Sequence, residues 1–149
     1  MAAATPVSSP GFLLWHATLR WQRLVTASLR PLELTHVQFV LLAGCWWLTR
    51  EGEPPSQIEL ADHAGTDVKM TSQVLRKLEQ RGLITRTQDT HDSRVRRLAV
   101  TRSGAALAKK AVAVVEAADA QYFADVADLD ELNVILHRLA GTPAPAQQS

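Results

Sequence analysis

The 149-residue sequence has a single cysteine, Cys45, so no disulfide can form within the chain. A disulfide-stapled secreted domain and a zinc ribbon, which needs several thiolates, are therefore both excluded. The longest charge-free apolar segment, residues 34–49, has 16 residues and is interrupted by polar side chains, whereas a membrane span needs about 20. No lysine or arginine precedes Arg20, so the basic start of a signal peptide is missing as well. We expect a cytoplasmic protein, in association with the nucleoid if it binds DNA.

The chain also lacks a strong excess of charge of one sign, because 16 Lys and Arg residues stand against 15 Asp and Glu. Its 46% apolar and 21% charged residues are ordinary for a globular protein, and its length predicts one domain. The charge is segregated, however. Residues 67–104 hold nine basic and four acidic side chains, whereas the segments before and after them are net negative. Such a local basic region predicts binding to duplex nucleic acid, although a solvated face would have the same composition.

Proline and capping residues delimit two apolar helices in the first third of the chain. A Leu- and Trp-rich helix is predicted over residues 11–29 and ends at Pro31. The next helix begins after the N-cap Thr35 and extends to about Thr49. Its middle is apolar nearly all round, which predicts burial on all sides, in part against a second subunit.

A helix-turn-helix pattern follows. Ser56 and Glu59 form a capping box for a short helix over residues 57–63, and Gly65 lies in the turn behind it. Asp67 caps a second helix that extends to Arg81, just before a glycine. The predicted buried stripe of this second helix is Met70, Val74, Leu75 and Leu78.

A hairpin and further helices complete the pattern. Residues 83–87 and 95–101 are predicted as two strands joined by a polar turn. An apolar stripe at helical spacing extends from Leu107 to Val126, and another, after the capping residue Asp128, from Leu132 to Leu139. We expect these stripes and the first helix to form a dimer. Residues 1–10 and 141–149, which hold four of the seven prolines, are expected to be unstructured tails.

The segment from Asp92 to Gly104 has the sequence DSRVRRLAVTRSG. It resembles the hallmark of the MarR family of bacterial transcription regulators, in which Asp-x-Arg is followed by Leu-x-Leu-Thr and then by Gly. Val100 stands in place of the second Leu. Residues 57–61, QIELA, and 78–84, LEQRGLI, resemble the same family at the expected spacing. The resemblance extends in order and length over residues 11–140.

The resemblance implies a mainly α-helical fold with a small β-hairpin wing. A winged helix-turn-helix over about residues 35–101 would be flanked by dimerisation helices over about 11–30 and 104–140. It further implies a homodimeric regulator, most often a repressor that a small phenolic or oxidant signal releases. We therefore expect a protein that binds a pseudo-palindromic operator in double-stranded DNA. We expect no cofactor and no catalysis, because the sequence has no nucleotide-binding glycine loop and no paired acid and base.

The candidate DNA-binding residues follow from the helix start at Asp67. Side chains on the N-terminal half of a recognition helix reach base edges in the major groove. The outward face of this helix is Val68, Lys69, Ser72, Gln73 and Arg76. Gln73 has the donor and acceptor that suit adenine, and Lys69 can reach guanine or phosphate. The wing candidates are Asp92, Arg94 and Arg96, and the candidates for contacts with the DNA backbone are Ser56, Gln57 and Lys77.

The polar hairpin tip is expected to project into solvent. It would place Arg94 in the narrow, negative minor groove of A·T-rich DNA, with Asp92 ordering the guanidinium. The resemblance assigns these two residues the same roles. The competing interpretation is a plain exposed ion pair without a function.

Four aromatic residues suggest an effector site. Adjacent Trp46 and Trp47 point about 100° apart on their helix, so both cannot face one small core. Together with Trp15 and His16 they form a candidate pocket for a small aromatic effector, with core or interface packing as the alternative.

Other reactive side chains favour simpler interpretations. Cys45 lies in an apolar helix without a visible basic neighbour, so we interpret it as a buried hydrophobe rather than a redox sensor. The five histidines form no HxxxH pair, and we predict no metal site. Two other functions remain open: a winged-helix module that binds proteins and not DNA, and a ligand or redox sensor with little affinity for DNA.

Overall fold

The computed structural model describes residues 6–143 as a mainly helical fold with one antiparallel hairpin. The helices are α1 (Pro10–Leu29), α2 (His36–Glu51), α3 (Gln57–Ala64), α4 (Val68–Gln80), α5 (Arg102–Tyr122) and α6 (Leu129–Ala140), and the strands are β1 (Ile84–Gln88) and β2 (Arg96–Val100). The predicted fold class, a helix-turn-helix and wing between N- and C-terminal helices, is confirmed. None of the helices within the described residues combines the length and apolar character that crossing a bilayer requires.

The start of the chain is more ordered than the sequence pattern predicts. Pro6–Ser8 forms a 3-10 turn, and the Ser9 side chain accepts a hydrogen bond from the Phe12 N–H at 3.3 Å. Pro10 occupies the first helical turn, where its missing N–H removes no bond. Part of the predicted tail is therefore structured, while residues 1–5 and 144–149 lie outside the described residues.

The predicted helix caps are confirmed. Thr35 and Ser56 each form a reciprocal capping box, with Gln38 and Glu59 respectively. Asp67 accepts from the Met70 N–H at 2.9 Å, and Asp128 caps α6 in the same manner. The side-chain chemistry of single residues thus sets where these helices begin.

One core joins helices α1 to α5 and the hairpin. Its fully buried side chains include Leu29, Leu41, Leu42, Leu60, Leu75, Leu78, Ile84 and Leu98. The prediction that Met70 belongs to this core is wrong, because Met70 is 38% exposed and Thr71 is the buried residue. The Thr71 hydroxyl lies 2.8 Å from the Asp67 carbonyl oxygen and 2.6 Å from the Thr66 hydroxyl, which makes its burial possible.

The base of the hairpin is locked to the start of α5. Strand β1 pairs antiparallel with β2, from Ile84 opposite Val100 to Gln88 opposite Arg96. Thr101 accepts from the Gly104 N–H at 3.0 Å and donates its hydroxyl to the Gly82 carbonyl at 2.6 Å. A Cβ at Gly104 would overlap the carbonyl oxygen of Leu83. The Thr and Gly of the family-like motif therefore hold the wing to α5.

The two terminal helices leave many apolar side chains exposed. Helix α1 packs against α5, where the Trp21 indole donates to Asp119 at 2.7 Å and the Tyr122 hydroxyl donates to the Ala17 carbonyl at 2.9 Å. Helix α6 has no buried residue among those described. The exposed apolar side chains of these helices, which we call the terminal apolar surface, are Phe12, Leu13, Leu14 and Trp15 of α1 and Leu129, Val134, Ile135, Leu136 and Leu139 of α6. Val126, predicted within the helical stripe, lies between α5 and α6 instead.

Candidate nucleic-acid interface

Helix α4 presents a polar, cationic face to solvent. Lys69, Gln73 and Arg76 are exposed on it, Ser72 is half-buried, and Val68 is 51% exposed at the first helical residue. The opposite side holds Thr71, Leu75 and Leu78 in the core. The four polar candidates thus lie side by side on the solvent side of the helix, whereas Val68 lies at the border between this face and the buried side, in line with Thr71 and Leu75.

The hairpin tip is a folded turn built around Asp89. One of its carboxylate oxygens accepts from the backbone N–H groups of His91 and Asp92 at 3.0 and 2.9 Å. The other accepts from Nε of Arg97 at 2.9 Å. These bonds, led by that from Arg97, lower the pKa of Asp89 to about 2. The carboxylate therefore stays ionised, and the turn keeps its anchor, at any physiological pH.

Arg97 clips the wing to the start of α3. Besides binding Asp89, its guanidinium donates to the Pro54 carbonyl at 3.2 Å and lies 3.5 Å from a Glu59 oxygen. Neither Arg97 nor Asp89 was among the predicted site residues. Arg97 lies opposite Thr87 and reaches Asp89 diagonally across the hairpin, so only the observed register brings the two together.

Arg94 projects from the tip, as predicted. Its side chain is 89% exposed, and its Nε lies 3.2 Å from an Asp92 oxygen. Asp92 also accepts from the Arg94 backbone N–H at 3.0 Å. The guanidinium of Arg94 and this backbone bond lower the pKa of Asp92. The predicted contact between Asp92 and Arg94 is thus present, and its role in ordering Arg94 for the minor groove stays a prediction.

Several cations of the basic region are already engaged within the protein. Arg81 donates to the Glu33 carbonyl at 2.7 Å, and Arg86 pairs with Glu79 at 3.1 Å. Within the basic region, Lys69, Arg76, Lys77, Arg96 and Arg102 are exposed and have no carboxylate partner within 4 Å among the described residues. These side chains and the exposed Arg94 are therefore the positive charges of this region that an outside anion can meet.

The three candidates for contacts with the DNA backbone differ in their exposure. Lys77 is exposed and Gln57 is half-buried. Ser56 is only 8% exposed, and its hydroxyl accepts from the Glu59 N–H at 3.1 Å. Its role is therefore to cap α3, and we leave it out of the interface.

A groove of about 610 Å³ lies between α2, the end of α3 and α5. Trp46 and Trp47 border it together with Phe39, His63 and Glu116. Trp15 and His16, the other two candidates, are not part of its lining; His16 stacks on Phe12 of its own helix at 4.3 Å. The four predicted residues therefore do not form one pocket within a protomer. Trp15 and His16 lie on α1, which does not border the groove.

Cys45 is fully buried in the core, and burial raises the pKa of its thiol to about 11. This agrees with its interpretation as a hydrophobic residue. In the part of the chain that the structure describes, no three His, Cys, Asp or Glu side chains converge as metal ligands would.

Comparisons with known proteins agree with this geometry. The model of the MarR family matches residues 34–95. The uncharacterised HTH-type transcriptional regulator YdcH of Bacillus subtilis is 43% identical over 119 residues, which cover 80% of this chain and 81% of that protein. The HTH-type transcriptional repressor Rv2887 of Mycobacterium tuberculosis is 38% identical over 114 residues, 76% of this chain and 79% of its own length.

Solved structures share the fold. A MarR-family transcriptional regulator from Rhodococcus sp. RHA1 superposes with a TM-score of 0.82 at 26% identity, over 93% of this chain and 96% of that one. Rv2887 in complex with salicylic acid gives a TM-score of 0.66 at 34% identity, over 93% and 99% of the two chains. With the helix-turn-helix, the wing and these relatives in agreement, the chain belongs to the MarR family of transcription regulators.

Proposed function

We propose that the protein is a homodimeric, non-enzymatic repressor that binds a pseudo-palindromic operator in double-stranded DNA at the nucleoid. The observation that supports this most is the uncovered cationic face of α4, with Arg94 and Arg96 presented by the adjacent wing. A helix of this size fits the major groove, and a projecting arginine fits the minor groove.

Each side chain takes a definite role in this proposal. Gln73 and Lys69 contact base edges from α4, with Ser72 and Arg76 beside them. Arg94, ordered by Asp92, enters the minor groove, while Arg96, Lys77 and Gln57 contact phosphates. Two protomers place their α4 helices in successive major grooves about 34 Å apart. Since both must fit, a ligand that favours another spacing would weaken binding.

Selection of bound duplexes from a random pool tests the proposal. We expect a palindrome with half-sites about one helical turn apart, bound with an affinity that falls steeply with salt. A winged-helix module for protein partners would show no salt-sensitive duplex affinity. A sensor with a minor role on DNA would bind every duplex weakly.

A Gln73→Ala variant sharpens the test. A bidentate base contact contributes about 1–3 kcal/mol of discrimination, so preference should relax at one or two operator positions. Binding to random duplex should stay nearly unchanged, because phosphate contacts supply it. Equal losses on operator and random DNA would instead show that Gln73 contacts only the backbone.

The groove beside Trp46 and Trp47 supports a second element of the proposal, a small aromatic effector. Glu116 is the only lining residue that is formally charged at neutral pH. We therefore propose a neutral or cationic aromatic ligand rather than a carboxylate, although the relative Rv2887 has been crystallised with salicylic acid.

Matched probes test this ligand class. In tryptophan-fluorescence titrations, benzamidine should bind more tightly than salicylamide, and salicylamide more tightly than salicylate. A Glu116→Gln variant should remove most of the difference in affinity among the three probes, because it removes the charge of the side chain and keeps its shape. Tightest binding of salicylate would contradict the proposed class.

A further inference from the structure

An apolar side chain stands in the first turn of α4, beside Ser72 at the edge of the polar face. Val68, the first residue of α4, is 51% exposed. It belongs neither to the buried core cluster nor to the partly buried side chains packed against that cluster. Its neighbours in the first turns, Lys69 and Ser72, can both form hydrogen bonds, whereas Val68 cannot.

Val68 continues the line of Thr71 and Leu75 along α4, but it is not packed into the core cluster, so burial within the protomer does not account for a valine there. Asp67 caps the helix through its own carboxylate, so Val68 is not needed to start it. Valine is also a weaker helix former than alanine, because branching at Cβ restricts its side chain. An apolar side chain in the first turn of a recognition helix does, however, have a natural partner in the major groove.

We infer that Val68 contacts the C5-methyl group of a thymine in each half-site and so specifies a T·A pair there. This inference rests on the proposed binding of α4 in the major groove. Thymine is the only base that presents a methyl group in that groove, and apolar side chains recognise it by contact. The N-terminal residues of a recognition helix are the ones that reach base edges.

Two other exposed apolar residues of the helix-turn-helix provide matched controls. Met70 is 38% exposed, but it lies two residues further along α4 and so about 200° around the helix from Val68. Ile58 is 61% exposed on α3, ahead of α4. If exposed apolar surface alone were enough, replacing these residues would have the same effect as replacing Val68.

The test replaces each thymine of a duplex selected by the wild-type protein with deoxyuridine, which removes only the methyl group. One thymine of each half-site should be sensitive to this change. Replacing it in one half-site only should lower wild-type affinity about fourfold, the value expected for one buried methyl group. Replacing that thymine in both half-sites should lower it about fifteenfold. Val68→Ala should bind the thymine and uracil duplexes equally well, whereas Met70→Ala and Ile58→Ala should keep the wild-type ratio.

Folding does not confound the comparison, because Val68→Ala improves helix propensity at an exposed position and should leave thermal unfolding unchanged. The inference is overturned if Val68→Ala retains the wild-type ratio between thymine and uracil. It is also overturned if the variant weakens binding to every duplex equally, which would indicate a backbone contact. Failure of the wild type to select any duplex would overturn the proposed function together with it. If the wild type selects a palindrome, but replacing thymine with uracil has no effect that depends on Val68, only this inference is overturned.

Discussion

The winged-helix region, residues 36–100, and the terminal helices α1 and α6 differ in how far they bury their apolar side chains. In the winged-helix region Leu41, Leu60 and Leu78 are fully buried within one protomer. On the terminal helices, Trp15 and Leu139 are 64% and 70% exposed. The apolar side chains of the winged-helix region are therefore buried within one protomer, together with Val25 and Leu29 from the end of α1 and with α5. The start of α1 and the whole of α6 instead leave apolar side chains uncovered, and we propose that a second chain covers them.

Charge follows the same division. The basic excess lies in residues 67–104, and residues 105–149 hold six acidic and three basic side chains. The proposed surface for DNA and the proposed surface for a second subunit thus lie on different parts of the chain. Substitutions in the two parts should therefore differ in whether they change oligomeric state, stability or DNA contacts.

The largest effect is expected from charges on the terminal apolar surface. Replacing Ile135 and Leu139 together with glutamate should dissociate the dimer, because paired carboxylates cannot be buried in an apolar interface. Operator affinity should then fall about a thousandfold, since the two half-sites are no longer bound as one unit. Sedimentation velocity and anisotropy titrations measure both quantities.

The matched control is Asn133→Glu, which adds a charge at an exposed polar residue of the same helix. It should remain dimeric. A double variant that stays dimeric at micromolar concentration would show that the terminal helices do not need a second chain.

The next largest effect tests the winged-helix region. Gly104→Ala should destabilise the protein by about 3 kcal/mol or more, because the new methyl group overlaps the Leu83 carbonyl oxygen. Gly52→Ala is the control: nothing lies within 4 Å of its Cβ position, and its φ of −178° is open to any residue. Chemical denaturation of the two variants should separate them clearly. Equal midpoints would mean that the hairpin is not locked to α5.

A smaller effect separates two arginines of the wing that lie three residues apart. Arg94→Ala should leave the melting temperature nearly unchanged, lower duplex affinity about tenfold and reduce the salt slope by about one per protomer. Arg97→Ala should instead lower the melting temperature, because it leaves Asp89 without its guanidinium partner.

Asp92→Ala should cause a smaller loss of affinity than Arg94→Ala, and little further loss once Arg94 is gone. If Arg94→Ala bound operator as tightly as the wild type at moderate salt, the wing would not enter the minor groove.

The smallest effect is expected at the centre of the buried core. The pKa of Cys45 is raised to about 11, so its thiol remains protonated at pH 8, with about one part in a thousand as thiolate. Hydrogen peroxide should therefore leave DNA binding unchanged, and iodoacetamide should label the native protein only very slowly. Mass spectrometry of treated samples checks this. Rapid labelling would show that the core opens.

Much of the fold could be predicted because its signals are local. Thr35, Ser56, Asp67 and Asp128 each cap a helix through an N–H group three residues away, and no tertiary contact is needed to recognise that chemistry. Hydrophobicity alone predicts that Met70 is buried, and this was wrong. The buried position belongs to Thr71, whose hydroxyl has two hydrogen-bond partners nearby.

Contacts between distant segments could not be predicted in the same way. Arg97 contacts Glu59 and Pro54, which precede it by 38 and 43 residues, and no periodicity in the sequence indicates such contacts. The prediction of one aromatic pocket was wrong for the same reason. Trp15 and Trp46 are the same type of residue, but the packing of α1 and α2 against α5 decides which of them borders the groove.

The close approach at Gly104 has a mechanical consequence. One end of α5 is fixed to the hairpin there, and Asp119 and Tyr122 fasten its other end to α1. A helix of 21 residues is about 31 Å long, so it acts as a stiff rod between the two regions. Tilting such a rod by about 10° at one end moves the other by about 5 Å, roughly a sixth of the spacing between successive major grooves. A rearrangement of the terminal helices that tilted α5 would therefore shift the wing by a distance that matters to two α4 helices in successive major grooves.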